Sequence, residues 1–263
     1  MKIIFLLMIL LFSIGVSLNA YNYGTFEGNL KGCENGNAKA CNDLAGMYLL
    51  GESQYNLKVD KLKAKKLYDK SRNLYKKYCD NGDATACYNF GNNYNGMKWG
   101  IDQNYTMMMK YYTKSCEYGN SLACNELGAA YKRGRGVSKD KKKSRNYYDK
   151  ALVLYENECN NNVARSCANL GMIYLLEMYG TKDDENKSTK YLKKAFDIYE
   201  TDCNNNNNAE GCYQIGVSYL RGKSVINIVK DEILAKEFFD KSCKLGESSA
   251  CNKAKRIANK LNL

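Results

Sequence analysis

The chain of 263 residues contains no histidine, and this absence excludes several kinds of site at once. Structural zinc sites draw on histidine and cysteine, and the cysteines here never show the C-x2-C spacing that such sites favour. Catalytic triads that use histidine as the general base are excluded as well. We therefore expect neither a metal ion nor another cofactor.

Long apolar runs are absent except at the N-terminus. Lys2 supplies a small positive region, residues 3–16 are apolar apart from Ser13 and Gly15, and the small residue Ala20 follows. This pattern is typical of a secretory signal peptide cleaved after Ala20, and it is too short for a membrane span, which needs about 20 residues. We expect residues 21–263 to be soluble and secreted or periplasmic.

Proline is absent too, whereas Lys, Asn, Tyr and Ile are abundant, a composition typical of an AT-rich coding sequence. The formal net charge is +12 at pH 7, and a basic chain can indicate nucleic-acid or anionic membrane partners. The lysines are spread along the chain, however, and an exported protein rarely meets nucleic acid. We attribute the charge to solvated helix faces and expect no nucleic-acid partner.

Cysteine is the residue that the chain has in excess, with twelve copies, all after the signal peptide. An even count in an exported chain implies a disulfide framework. The first cysteines of successive pairs recur after 46, 37, 43, 44 and 40 residues, a period typical of a solenoid of helix pairs. The predicted pairs are Cys33 with Cys41, Cys79 with Cys87, Cys116 with Cys124, Cys159 with Cys167, Cys203 with Cys212, and Cys243 with Cys251.

A helical motif follows the second cysteine of five pairs. It reads C-x2-[apolar]-[Gly/Ala]-x2-Tyr, as at Cys124, Leu127, Gly128 and Tyr131. Offsets of 0, 3, 4 and 7 mark one face of a helix, here named helix A, and the small residue lets a neighbouring helix approach closely. Before the first cysteine, apolar residues recur at offsets of four and predict a second helix, B. Examples are Ala151–Tyr155–Cys159, Ala195–Tyr199–Cys203 and Ala235–Phe239–Cys243.

The chain must turn between paired cysteines, because eight residues of helix rise about 12 Å whereas bridged Cα atoms lie within roughly 7 Å. A glycine three residues after the first cysteine can end the helix in the left-handed conformation. Asn37, Asp83 and Asn120 are the predicted N-caps of the next helix, and asparagine runs replace the glycine after Cys159 and Cys203. Each disulfide should therefore join the end of one helix B to the start of the next helix A.

These patterns predict an all-α fold, an α/α superhelical solenoid of about five to six repeats with one disulfide per repeat. Residues 21–263 should form one solenoid, with a short helix over residues 22–32 and a lysine-rich capping helix over residues 252–263. A polar terminal helix is what the end of a solenoid requires. We expect a monomer.

Helix A normally lines the concave face of such a solenoid. The first and fifth positions after the second cysteine should point there, and they carry Asn42, Tyr88, Asn92, Asn125 and Tyr213. The side-chain amide of asparagine can both donate a hydrogen bond to a peptide group and accept one from it. Tyrosine adds contact area at low entropic cost. Such a groove suits an extended peptide or a peptidoglycan fragment; the alternative is that these are tolerated surface residues.

The unit C-x2-L-G-x2-Y, the loop G-x-G-V-x-x-D at residues 134–140 and the helix A-x3-Y-x3-C resemble the Sel1-like repeat. With a C-x7-C pair in nearly every repeat and a signal peptide, residues 22–263 resemble the Helicobacter cysteine-rich protein family. The fifth pair departs from the pattern with C-x8-C, and the other loops between helices A and B are degenerate. The resemblance implies export, penicillin binding and weak β-lactamase activity, or else an adaptor scaffold for protein partners.

The residues themselves give hydrolysis little support. A serine β-lactamase uses a serine in S-x-x-K, with S-x-N and K-T-G elements. The only S-x-x-K runs from Ser138 to Lys141 in a loop, K-T-G is absent, and bridged cysteines supply no thiolate. Two hypotheses therefore stay open: a binder of β-lactams or peptidoglycan fragments with weak hydrolysis, and a non-enzymatic scaffold for a peptide or host protein.

Overall fold

A computed structural model describes residues 25–51, 55–95, 103–176 and 184–262; the predicted signal peptide, residues 1–20, lies outside these ranges. Within them the chain forms twelve α-helices, one 3₁₀ turn at Ser224–Ile226 and no extended strand, and none of these helices is long and apolar enough to cross a membrane. The helices are α1 (Phe26–Glu34), α2 (Ala38–Leu50), α3 (Lys61–Asp80), α4 (Ala84–Asn92), α5 (Tyr105–Glu117), α6 (Ser121–Arg133), α7 (Lys141–Asn160), α8 (Ala164–Leu175), α9 (Glu185–Asn204), α10 (Ala209–Arg221), α11 (Glu232–Lys244) and α12 (Ser248–Leu261).

The extensive contacts in the described ranges join helices that are adjacent in the sequence. This nearest-neighbour packing is the property of a solenoid, and it confirms the predicted fold class. The A helices are α2, α4, α6, α8 and α10, and the B helices are α3, α5, α7, α9 and α11. Helix α1 precedes the first A helix, and α12 follows the last B helix.

All six predicted disulfides are present, each between the end of one helix and the start of the next. The bridged Cα atoms lie 4.5–4.8 Å apart, well within the distance that a disulfide can span. The bonds join Cys33 to Cys41, Cys79 to Cys87, Cys116 to Cys124, Cys159 to Cys167, Cys203 to Cys212 and Cys243 to Cys251.

In five of the six pairs the second cysteine is buried as well as bonded. Cys41, Cys87, Cys167 and Cys212 are completely buried, in the first turn of α2, α4, α8 and α10 respectively. These disulfides are therefore part of the packed interior of the solenoid, whereas Cys243 and Cys251 are partly exposed.

The turns between paired cysteines are built as predicted. Gly36, Gly82, Gly119 and Gly246 have φ between 85° and 100°, the left-handed region in which a glycine ends a helix without strain. Asparagine takes the same conformation in the two turns that lack glycine, at Asn162 (φ 62°) and Asn207 (φ 48°).

The small residue of the A motif sets the distance between the helices of one repeat. A Cβ placed on Gly128 would lie 2.5 Å from the ring of Tyr148, and one on Gly171 would lie 2.5 Å from Leu192. Real Cβ atoms do not approach so closely, so only glycine allows helix B to pack at this depth. The predicted close approach is confirmed.

The motif tyrosine and the loop aspartate are joined through the backbone. The N–H of Asp140 donates to the carbonyl of Tyr131 at 3.1 Å, and the Asp140 carboxylate caps α7 by accepting from the N–H of Lys143 at 2.9 Å. The ring of Tyr131 stacks on Tyr147, with centroids 5.6 Å apart. This tyrosine therefore has a structural role, and it closes the loop between helices A and B.

Candidate functional site

One cavity of about 570 Å³ is lined by residues from four successive A helices, α2, α4, α6 and α8, together with residues of α3 and α7. We call it the inner groove. The A-helix residues that line it occupy repeated positions relative to the second cysteine of each pair. These positions are two residues before the cysteine, one residue after it and two residues after it. The A-helix residues at these positions are Lys39, Asn42, Asp43, Thr85, Tyr88, Asn89, Leu122, Arg165 and Asn169.

A second cavity of about 290 Å³ lies between α2, α3 and α4, and shares Asn42, Tyr75 and Asn89 with the inner groove. We call it the amide pocket, because four asparagines and two tyrosines contribute to its wall and no charged residue does. Its lining residues are Asn42, Gly46, Tyr68, Tyr75, Asn89, Asn92 and Asn93. The two cavities thus form a charged and an uncharged part of one continuous surface.

Three of the five residues predicted from the sequence line these cavities, namely Asn42, Tyr88 and Asn92. Asn125 and Tyr213 line neither of them. The ring of Tyr213 packs on Phe239 at 5.6 Å, and Lys253 of α12 lies over it. Tyr213 therefore contacts α11 and α12 and is partly buried by them.

The inner groove also contains residues that the sequence argument missed. Lys39 and Arg165 lie two positions before the second cysteine, and Asn89 and Asn169 lie two positions after it. The signal that could have found them is helical geometry, because the position two before the cysteine lies three residues from the first position after it and four from the second, the spacings at which residues share a helix face.

The charged groups that line the inner groove have partners within the protein. Lys39 contacts Asp43 at 2.6 Å, and Arg165 lies 3.6 Å from Glu210. Glu158, at the end of α7, accepts from the hydroxyls of Ser121 (2.9 Å) and Ser166, which begin helices α6 and α8. Glu158 thus holds three helices together, and what the groove offers a ligand is chiefly amide and phenol groups.

Tyrosines at the floor of the groove are neutral and held in place. Burial raises the pKa of Tyr75 to about 12, and the nearby Asp43 and Asp83 add to the effect. Tyr88 stacks on Tyr112 with centroids 5.5 Å apart, and burial raises its pKa as well. The hydroxyls therefore act as hydrogen-bonding groups at physiological pH.

The amide of Asn93 is satisfied at one end only. Its Oδ1 accepts a hydrogen bond of 2.6 Å from the hydroxyl of Tyr68, whose pKa burial raises to about 12. Asn93 is 8% exposed, and its Nδ2 has no hydrogen-bond partner. This donor is therefore buried from solvent as well as unpartnered.

No group of His, Cys, Asp or Glu in the described ranges could hold a metal ion. Ser138 and Lys141, the S-x-x-K pair, are exposed at the start of α7 and line neither cavity. The S-x-x-K pair therefore contributes to neither of the two described cavities.

Comparison with known proteins identifies the repeat. The Sel1 repeat family matches residues 38–76, 84–120, 121–152, 164–197 and 209–247, and no curated protein matches the chain. Among solved structures, a Sel1 repeat protein from Oxalobacter formigenes is 20% identical, with 88% of this chain and 86% of that chain covered and a TM-score of 0.38. A protein described as a sel1 repeat protein from Klebsiella pneumoniae is 17% identical (89% and 99% covered, TM-score 0.41). A protective antigen from uropathogenic Escherichia coli strains is 18% identical (90% and 68% covered, TM-score 0.31).

Proposed function

The chain belongs to the Sel1 repeat family, and we propose that it is a non-enzymatic scaffold that binds an extended peptide segment of a partner protein in the inner groove. The observation that carries the proposal is that amide and phenol side chains of α2, α4 and α8 line one cavity, to which α6 adds Ser121 and Leu122. Each side-chain amide can donate to and accept from a peptide group. A row of them suits a main chain better than it suits any single side chain.

Rigidity supports the same function. Five disulfides fix the starts of the five A helices, so the groove residues next to them lose little further entropy when a ligand binds. Such disulfides also form in oxidising compartments. We infer that the protein acts outside the cytoplasm as a monomeric solenoid over residues 21–263, with export directed by residues 1–20.

The second candidate is binding of β-lactams or peptidoglycan fragments with weak β-lactamase activity, which rests on the likeness to the Helicobacter cysteine-rich proteins. All twelve cysteines are bonded, so none supplies a thiolate. Ser138 lies outside both cavities. The geometry therefore favours binding without hydrolysis over an enzyme.

Selection of peptides followed by cross-linking tests the proposal. A phage library of random octapeptides would be selected on the oxidised protein, and a selected peptide would be remade with a benzophenone group. We expect the cross-links to fall on groove residues of α2, α4, α6 or α8. Cross-links confined to the exposed faces of the B helices would overturn the proposal. Hydrolysis of a chromogenic cephalosporin that is lost on Asn89→Ala would favour the second candidate.

A further inference from the structure

A third cavity, of about 300 Å³, lies at the C-terminal end of the solenoid, between α10, the start of α11 and α12. We call it the terminal pocket. It shares no lining residue with the inner groove or with the amide pocket. Its lining residues are Leu220, Glu232, Lys253, Arg256, Ile257 and Lys260.

The floor of the terminal pocket is apolar. Ile257 is 6% exposed and belongs to the core that α11 and α12 share, and Leu220 of α10 packs against the same core. Both side chains nevertheless line the cavity. An apolar group that enters the pocket would therefore bury surface against them, and the removal of such surface from water favours binding.

The rim of the terminal pocket is cationic, because α12 carries three basic residues on the same face as Ile257. Lys253, Arg256 and Lys260 lie at offsets of 0, 3 and 7 along the helix, and Ile257 lies at offset 4. These are the spacings at which residues share a helix face. A terminal helix needs only a polar outer face to end a solenoid, so capping does not explain why these basic residues line a cavity.

Glu232 is the one carboxylate among the lining residues, and its charge is already paired. It lies 2.8 Å from the Nζ of Lys230 and 2.7 Å from that of Lys260, and these two ammonium groups lower the pKa of Glu232 to about 2. Lys253 and Arg256, by contrast, form no ion pair within the described ranges. Two positive charges of the pocket are therefore left without a carboxylate.

The two unpaired cations are held differently. The Nζ of Lys253 lies 5.8 Å from the ring centroids of both Tyr213 and Phe239, within the range of cation–π contacts. Arg256 is exposed, and a guanidinium offers donors in a planar fork that matches a carboxylate. An anionic group at the rim would thus meet one cation that is already positioned and a second that can turn toward it.

We propose that the terminal pocket binds an aliphatic carboxylate, with the apolar chain against Leu220 and Ile257 and the carboxylate between Lys253 and Arg256. A free aliphatic acid and a peptide that ends in leucine share this chemistry. The inference is independent of the proposed function, because the terminal pocket lies outside the inner groove.

The apolar chain and the charge should both contribute to binding. Ion pairs at an exposed surface are weak and are screened by salt, so acetate should bind poorly. Each methylene buried against the floor should strengthen binding by about fourfold when its burial is complete, so hexanoate should bind about tenfold or more tightly than acetate. Hexanamide has nearly the same shape but no charge for the two cations, so it should bind about threefold or more weakly than hexanoate at low salt.

Titration of the oxidised protein with hexanoate, acetate and hexanamide, followed by NMR of the Leu220 and Ile257 methyl groups, tests the inference. We expect saturable shifts of both methyl signals at millimolar hexanoate. Arg256→Gln should weaken hexanoate binding by about threefold or more. Lys255→Gln removes the same charge from an exposed residue of α12 outside the pocket, and it should leave the affinity unchanged.

The inference is overturned if hexanamide binds as tightly as hexanoate, if the two variants lose affinity equally, or if neither methyl signal shifts. Each of these results is separate from the outcome of peptide selection on the inner groove. A further comparison identifies the source of the carboxylate. Tighter binding of acetyl-alanyl-alanyl-leucine than of hexanoate, lost in its C-terminal amide, supports the end of a peptide, whereas tighter binding of hexanoate supports a free aliphatic acid.

Discussion

The hydroxyl of Tyr68 donates a hydrogen bond of 2.6 Å to the amide oxygen of Asn93. The bond joins α3 of one repeat to the end of α4 in the next, and both residues line the amide pocket. The wall of the pocket is thus part of the contact between repeats. Its shape and the stability of the solenoid should change together.

Replacing Tyr68 with Phe removes the hydrogen bond that holds Oδ1 of Asn93. A buried polar group without a partner costs about 1–3 kcal/mol. The free energy of unfolding should fall by about that amount, and the urea midpoint should fall with it. Tyr118→Phe is the matched control, because Tyr118 is 46% exposed and its change should leave the midpoint where it is. Equal midpoints for both variants would show that the Tyr68 bond does not contribute.

Glycine-to-alanine changes in two A helices should have opposite effects on the stability of the fold. Gly128→Ala places a Cβ 2.5 Å from Tyr148, and overpacking of this kind costs about 1–3 kcal/mol. Gly46→Ala meets no atom, so it should stabilise α2 by up to about 1 kcal/mol through helix propensity. Thermal unfolding followed by circular dichroism measures both, and a loss of stability in Gly46→Ala would mean that this glycine has a packing role.

The disulfide between Cys243 and Cys251 should be reduced first. Both of its cysteines are partly exposed, whereas the other ten are at most 3% exposed. Thiol–disulfide exchange needs access of the attacking thiolate to sulfur. Brief treatment with dithiothreitol, alkylation and peptide mass spectrometry should find label at Cys243 and Cys251 before any other site, and equal labelling in denaturant is the control. Earlier labelling of a pair inside the solenoid would contradict this order.

Alkaline pH should destabilise the fold through the buried phenols. Burial raises the pKa of Tyr68, Tyr75 and Tyr199 from 10.0 to about 12. A group whose pKa is higher in the folded state contributes stability that is complete below the unfolded value and is lost as pH rises through the folded value. Urea midpoints should therefore fall between about pH 10 and pH 12, and Tyr75→Phe should flatten part of the decline. An unchanged midpoint across this range would contradict the burial effect.

The cysteine register was sufficient to predict the helix pairs, the disulfides and the turns, because each depends on residues close in sequence. The residue of helix B that packs on the A-helix glycine could not be predicted in this way, because it depends on the length of helix B. Helices α3, α7 and α9 have 20 residues and α5 and α11 have 13, a difference of about two turns. The ring that packs on the A-helix glycine therefore lies about two turns farther from the cysteine at the end of the helix in α7, at Tyr148, than in α11, at Phe239.

The candidate site was predicted only in part for a related reason. Asn42, Tyr88 and Asn92 were found from one helical face, but the approach of α2 and α8 to a single cavity depends on the summed rotation of three repeats. No local pattern encodes that sum. Tyr213 has the predicted register, yet it packs beside α12 and lines neither cavity, because the last repeat has the terminal helix as its neighbour.

Calorimetric titration of one matched pair of variants measures whether the inner groove binds a peptide through its amides. Asn89 lines both cavities, whereas Asn252 is exposed on α12. We predict that a selected octapeptide binds Asn89→Ala at least tenfold more weakly than the unaltered protein and binds Asn252→Ala with unchanged affinity. Equal affinity for all three proteins would show that the groove amides do not bind the peptide.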